Sequence, residues 1–199
     1  TVTANGVSAG MILFFLGRSK EAIRLDMRKL SLSREEMIKI VKIGAPAGLQ
    51  GMVFSFSNVC IQSAINGFGT DAIAGSAAAL NYEFLTYFVT SAFTQAAVTF
   101  TSQNYGAKQY ERCKNVWRIS TVLGMCGTGI LSAVFVLGRG FFLSIFAADA
   151  AAIGFGAVRM LHIQMFSFLP PLYEVTGGSL RGMGYSLTPA VLSMFGSCA

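Results

Sequence analysis

The sequence predicts an all-α integral membrane protein, a polytopic bundle of about five or six transmembrane helices. Three observations carry that prediction. Of 199 residues, 53% are hydrophobic and only 12% charged, whereas a soluble domain carries about a quarter. The charges are bunched, so the apolar runs between them are longer than a globular core needs. The longest run, Ala72 to Thr101, contains one charge, Glu83, and exceeds the ~20 residues that cross a bilayer.

Residues 1–16 read as the end of a transmembrane helix, because the apolar run Val7 to Leu16 is too short to span by itself. The chain begins inside that run and stops inside another at Ala199, as expected of a piece of a longer polypeptide. Residues 17–42 form a basic loop with eight Lys or Arg against four acids. Near its end, Ser33-Arg34-Glu35-Glu36 fits a capping box: the Ser33 hydroxyl accepts from an N-terminal amide and Glu36 reaches back, which starts a helix just before the membrane.

A bundle of spans follows over residues 43–199, at about 43–68, 72–101, 119–137, 160–178 and 186–199. The first of these opens with Gly44-Ala45-Pro46-Ala47-Gly48, where Gly44 and Gly48 offer a face for close helix approach and Pro46 sits early enough to cost little. The next is the Glu83 helix, which emerges into the polar knot Gln103-Asn104-Tyr105-Gly106-Ala107. A second basic loop, 102–118, carries Lys108, Arg112, Lys114 and Arg118. The Gly- and Val-rich span after it ends at Gly138-Arg139-Gly140 and an interfacial run, Phe141 to Ala147. The span at 160–178 contains Pro170-Pro171, which breaks or kinks it, and Leu180-Arg181-Gly182-Met183-Gly184 is a tight turn into the last span.

Charge sets the orientation. With loops 17–42 and 102–118 and Arg181 on the cytoplasmic side, that side holds 13 Lys and Arg, against Arg139 and Arg159 outside. The net charge of +6 therefore reflects a multi-pass protein of the plasma membrane, not a nucleic-acid binder.

Glu83 and Glu174 are the only acids within the spans. At ~1.5 Å per residue, Glu83 lies ~18 Å beyond Asp71, near the middle of the hydrocarbon. Glu174, seven residues before Arg181, lies ~10 Å from the cytoplasmic end. A carboxylate at such depth faces a cavity, pairs, or holds a proton. Two readings follow: cation or proton exchange at both acids, or permanent hydrogen bonds and ion pairs between helices. Polar residues exceed what packing needs. Gln50, Ser57, Asn58 and Gln62 recur near helical spacing on one span, and Tyr82, Thr86, Thr90 and Thr94 step by four on the next. Gln50, Phe54, Asn58, Asn81, Tyr82, Tyr87, Gln95 and Tyr173 are the expected cavity lining, aromatic and weakly acidic, which suits bulky organic cations.

Several classes drop out. With His162 as the one histidine, neither a zinc site nor a histidine-based triad is expected, so the protein reads as no enzyme. Cys60, Cys113, Cys126 and Cys198 show no CxxC spacing and read as inert thiols. The glycines at 182 and 184 lack the Lys-Ser/Thr of a phosphate-binding loop. No cofactor is expected beyond a proton or sodium ion, so pumping would draw on an ion gradient.

Four motifs in order resemble the multidrug and toxic compound extrusion (MATE) transporters: Gly44-Ala45-Pro46, then Gly69-Thr70-Asp71-Ala72-Ile73-Ala74-Gly75, Gln103-Asn104-Tyr105-Gly106-Ala107, and Leu180-Arg181-Gly182-Met183-Gly184 with Thr188-Pro189. The resemblance implies one lobe, the C-terminal one, of a twelve-helix transporter built from two related six-helix lobes. It also implies alternating-access efflux of drugs or cationic metabolites against protons or sodium ions. The partners implied are small organic, mostly cationic substrates, membrane lipid and the missing N-terminal lobe. Where many relatives carry a helix-seven glutamate this chain has Phe54, and where some carry a helix-ten acid it has Pro170, with Glu174 one turn later on the same face. The alternatives are a lipid-linked precursor flippase of the same superfamily, which calls for a more cationic cavity, and a membrane scaffold or channel subunit.

Overall fold

The computed structural model describes residues 2–18 and 33–198, with the side chains of 196–198 left aside. Most of the basic loop expected at 17–42 lies outside the described residues. Eight helices and no strand are found among those described: α1 (Val2–Arg18), α2 (Arg34–Asn66), α3 (Thr70–Gly106), α4 (Tyr110–Leu137), α5 (Arg139–Ser144), α6 (Ala150–Gln164), α7 (Pro170–Gly182) and α8 (Leu187–Cys198).

The chain divides into two compact units, Thr1–Ile40 and Val41–Ala199. In the first, no residue of α1 is buried, and the Arg18 guanidinium lies 5.9 Å from the Phe14 ring centre. The expected helix start is present: α2 begins at Arg34, and the Met37 amide donates to the Ser33 carbonyl at 3.0 Å. Glu36 pairs with Lys39 at 2.9 Å.

In the second unit α3 is the central element. Ala72, Gly75, Ala79, Tyr82, Thr86, Thr90, Ala97 and Thr101 recur every three, four or seven residues and form its buried face, against which α4, α6 and α7 pack along its length. Apart from Tyr82, that face is built of small residues, which let backbones approach where lipid removes most of the hydrophobic drive for association. A Cβ placed on Gly75 would collide with the Ala152 carbonyl of α6. One on Gly178 would lie 2.8 Å from Thr94 Cγ2, and one on Gly182 2.7 Å from the Val98 carbonyl, so α7 is seated on α3 by a glycine pair four residues apart. Gly44 and Gly48, expected to play that part on α2, meet no described neighbour within 4 Å.

The span expected at 160–178 is two helices. Asp149 caps the first, accepting a hydrogen bond from the Ala151 amide at 3.3 Å, so it starts at Ala150, ten residues earlier than Met160. The chain then turns through Met165–Leu169, and Pro170 and Pro171 open α7, where their missing amides leave no bond unmade. Both halves run parallel to α3: Gly156 beside Gly75, Arg159 beside Glu83, Gln164 beside Thr86, then Gly178 beside Thr94. They therefore act as one interrupted span. The expected turn at 180–184 caps α7: Gly184, with φ of +91°, follows the helix end, the Tyr185 amide donates to Leu180 O at 2.9 Å and the Gly184 amide to Arg181 O at 3.0 Å.

By length and apolarity α2 and α4 are the two described helices that pass as membrane-crossing, while α3, though longer, is held back by its serines, threonines and Glu83. Gly178→Val should lower the thermal midpoint of the purified full-length protein, consistent with an overpacking cost of about 1–3 kcal/mol. Gly154→Ala, where a Cβ meets nothing within 4 Å, should leave it unchanged or raise it slightly.

Candidate functional site: two cavities that meet at Glu174

The two acids within the bundle have different surroundings. Glu83, on α3, is gripped by Arg159 of α6: Nε donates to Oε1 at 2.7 Å and an Nη to Oε2 at 3.0 Å, with both side chains below one-fifth exposed. This two-pronged geometry satisfies both carboxylate oxygens and cancels the charge. Arg159 was expected among the outside residues that set orientation. Because the Asp149 cap starts α6 early, it lies within the helix and faces Glu83 instead.

Glu174, on α7, has a looser partner. The Arg181 Nη2 is 3.6 Å from Oε2, beyond hydrogen-bond distance, and Glu174 accepts no hydrogen bond among the described residues. It lines two cavities. The larger, about 640 Å³, is walled by Gln50 and Phe54 of α2, by Tyr173, Glu174 and Arg181 of α7, and by Pro189 and Leu192 of α8. The smaller, about 420 Å³, is lined by Tyr87, Thr90, Ser91, Thr94 and Gln95 of α3, again with Glu174 and Arg181. One space is mostly apolar and aromatic, the other rich in neutral hydrogen-bonding groups, and the carboxylate and guanidinium belong to both.

Of the expected lining residues, Gln50, Phe54, Tyr173, Tyr87 and Gln95 therefore gather around Glu174. Three do not. Tyr82 is buried in an aromatic cluster with Phe135, Phe142 and Phe146 at centroid distances of 5.0, 5.5 and 5.7 Å, and its hydroxyl donates to the Phe142 carbonyl at 2.6 Å. Its place on the four-residue stripe puts it in the packed face of α3, at the level where α5 covers the bundle. Asn81 is exposed and donates to its own helix at Ala77 O, 3.0 Å away. Asn58 is exposed on α2, outside both cavities.

Sequence reasoning missed Gln164 and Arg181. Gln164, the last residue of α6, is 1% exposed, and its Oε1 accepts from Thr86 Oγ1 at 3.1 Å and Ser132 Oγ at 3.0 Å, tying α3, α4 and α6 together at the break. Its Nε2 has no hydrogen-bond partner among the described residues. The signal was a glutamine six residues before Pro170-Pro171, at the end of a broken helix. Trp117 ties α4 to the larger cavity's wall, its Nε1 donating to Thr176 Oγ1 at 2.9 Å.

The family model described as MatE matches residues 46–199, most of the chain and most of the cavity-lining residues. The chain belongs to the MatE family. This MatE chain is 24% identical over 93% of its length to the probable multidrug resistance protein YoeA of Bacillus subtilis (strain 168), covering 41% of that protein. It is 21% identical over 97% of its length to the probable multidrug resistance protein NorM of Thermotoga maritima, covering 41%. To the multidrug export protein MepA of Staphylococcus saprophyticus it is 22% identical over 94%, covering 39%. The chain thus spans about two-fifths of the curated relatives it matches. The fold is shared with a solved MOP superfamily transporter from Pyrococcus furiosus, at a TM-score of 0.75 and 16% identity, over 80% of this chain and 35% of that one. Family membership and the relatives' names, multidrug resistance and multidrug export proteins, match the class the sequence motifs pointed to.

If Glu83 and Arg159 act as one structural unit, breaking either half alone leaves an uncompensated interior charge. Glu83→Gln or Arg159→Gln should each destabilise the full-length protein by about 3 kcal/mol, the low end for interior pairs. The double variant Glu83→Gln/Arg159→Gln should recover most of that loss, which a thermal-shift double-mutant cycle measures.

Proposed function

We propose that this chain is the C-terminal lobe of a secondary active efflux transporter that exports small organic, mostly cationic compounds in exchange for protons or sodium ions, by alternating access. The observation that carries the reading is the position of Glu174. It is an acid that accepts no hydrogen bond among the described residues, at the junction of an aromatic cavity and a polar one.

A carboxylate in this position binds one cation at a time. The larger cavity, with Phe54 and Tyr173, suits a bulky cation held by aromatic faces and the carboxylate. The smaller one, with Thr90, Ser91, Thr94 and Gln95, suits a small hydrated ion or a proton delivered through water. Binding of either weakens binding of the other, which is the linkage that exchange requires. Glu83, closed by Arg159, is assigned a structural role, so coupling rests on Glu174 alone.

The basic stretches 17–42 and 102–118 are assigned to the cytoplasmic side by the positive-inside rule, the second forming the end of α3 and the start of α4 on either side of residues 107–109 rather than the long loop expected. The N-terminal lobe of the complete polypeptide supplies the opposite wall of the substrate path, consistent with the greater length of the relatives.

The test uses the complete polypeptide in liposomes, with efflux of a fluorescent cationic dye driven by a proton or a sodium gradient. Glu174→Gln should reduce gradient-driven efflux to the protein-free rate. The paired variant Glu83→Gln/Arg159→Gln should retain at least half of the wild-type rate. Wild-type efflux by the Glu174→Gln protein would sink the assignment.

A further inference from the structure

Arg181 is the cation that Glu174 faces when nothing else is bound, and its surroundings favour a reversible contact. Residues 174 and 181 lie two helical turns apart on α7, a rise of ~10 Å, so both side chains must extend along one face to approach each other. The Cα–Cβ bond of a helical residue tilts toward the N-terminus, which aims Arg181 at Glu174. Between them is Gly177. A Cβ there would lie 3.8 Å from Arg181 Nη2, so the guanidinium runs over bare backbone in a slot left by the missing side chain.

The contact stops short of closure. The 3.6 Å separation contrasts with the 2.7 and 3.0 Å of the Glu83–Arg159 grip. Arg181 also lines the smaller cavity, where Ser91, Thr94 and Gln95 offer neutral oxygens to a guanidinium that has left the carboxylate. The pair gives the two cavities no net charge at rest, so an arriving cation meets an acid already partly neutralised.

We propose that Arg181 is a displaceable internal counter-ion. It occupies Glu174 between transport events, is pushed toward the polar cavity when a substrate or coupling cation binds, and returns to expel that cation. This rests on the reading that Glu174 is the exchange site, and adds to it a specificity-determining residue. A tethered competitor sets a lower limit on the affinity a cation needs. It also keeps the empty site from carrying a bare negative charge while the protein changes state. In that role Arg181 sacrifices binding strength for release.

The experiment measures equilibrium binding of radiolabelled tetraphenylphosphonium to the purified full-length protein, alongside liposome efflux. Arg181→Gln should bind the probe about fivefold more tightly, the scale expected when a partly exposed ion pair no longer has to be broken, and should lose most net efflux. Millimolar guanidinium ion should compete with the probe in Arg181→Gln and not in wild type, a signature that a merely structural role does not produce. Arg181→Lys, which keeps the charge and guards against misfolding, should stay within threefold of wild-type affinity. Unchanged or weaker binding by Arg181→Gln, without guanidinium competition, overturns the proposal while Glu174 remains the exchange site if Glu174→Gln abolishes binding. Undiminished binding and efflux by Glu174→Gln removes the underlying reading, and the counter-ion with it.

Discussion

A charge within a hydrocarbon slab has to be compensated, and in this bundle compensation takes two forms. A centrally placed carboxylate costs a few kcal/mol on insertion scales unless something meets it. Glu83 is met by a two-pronged guanidinium from a neighbouring helix. Glu174 is met by an arginine of its own helix at a distance that leaves the contact open. The first arrangement locks α6 to α3. The second leaves a titratable, cation-binding group at the meeting point of two cavities.

That division depends on the packing around α3. Glycines on α3, α6 and α7 bring both halves of the broken span against one helix, with Gly75 of α3 and Gly156 of α6 at one end and Gly178 and Gly182 of α7 at the other. The break between the halves has the last residue of α6, Gln164, joined to Thr86 and Ser132. Continuing α6 as a regular helix would remove the turn at Met165–Leu169 and rotate α7. Glu174 would then no longer share a wall with Phe54 and Gln95. Discontinuous helices around a site are a recurring device in transporters, because unwound backbone is tolerated where it is buried in protein or borders a cavity.

Much of this was legible in the chain. The apolar runs gave the all-α class, and the motifs at Gly44, Gly69, Gln103 and Leu180 gave the family, since both depend on local sequence, whereas five or six expected spans became eight helices among the described residues. The gathering of Gln50, Phe54, Tyr87, Gln95, Tyr173 and Glu174 followed from polar and aromatic residues being too frequent for a lipid-facing role. What escaped was what depends on rotation about a helix axis or on partners distant in sequence. The Asp149 cap moves the start of α6 by ten residues and turns Arg159 from a presumed loop residue into the partner of Glu83. Tyr82 and Tyr87 are five residues apart on one helix, yet one enters an aromatic core and the other a cavity, because five residues turn the helix by roughly 140°. The Gly178–Gly182 pair was hidden because Gly182 already had an explanation as part of a turn and Gly178 closed the expected span before it.

The central claim is that one interior acid is closed and the other open. Covalent labelling tests it most directly. Dicyclohexylcarbodiimide reacts with accessible protonated carboxyl groups in membranes, and peptide mass spectrometry of the full-length protein in liposomes reads the yield at each site. The account predicts modification of Glu174, suppressed by a saturating cationic substrate, and little or none at Glu83. Equal labelling of both acids, or labelling of Glu83 alone, would contradict it.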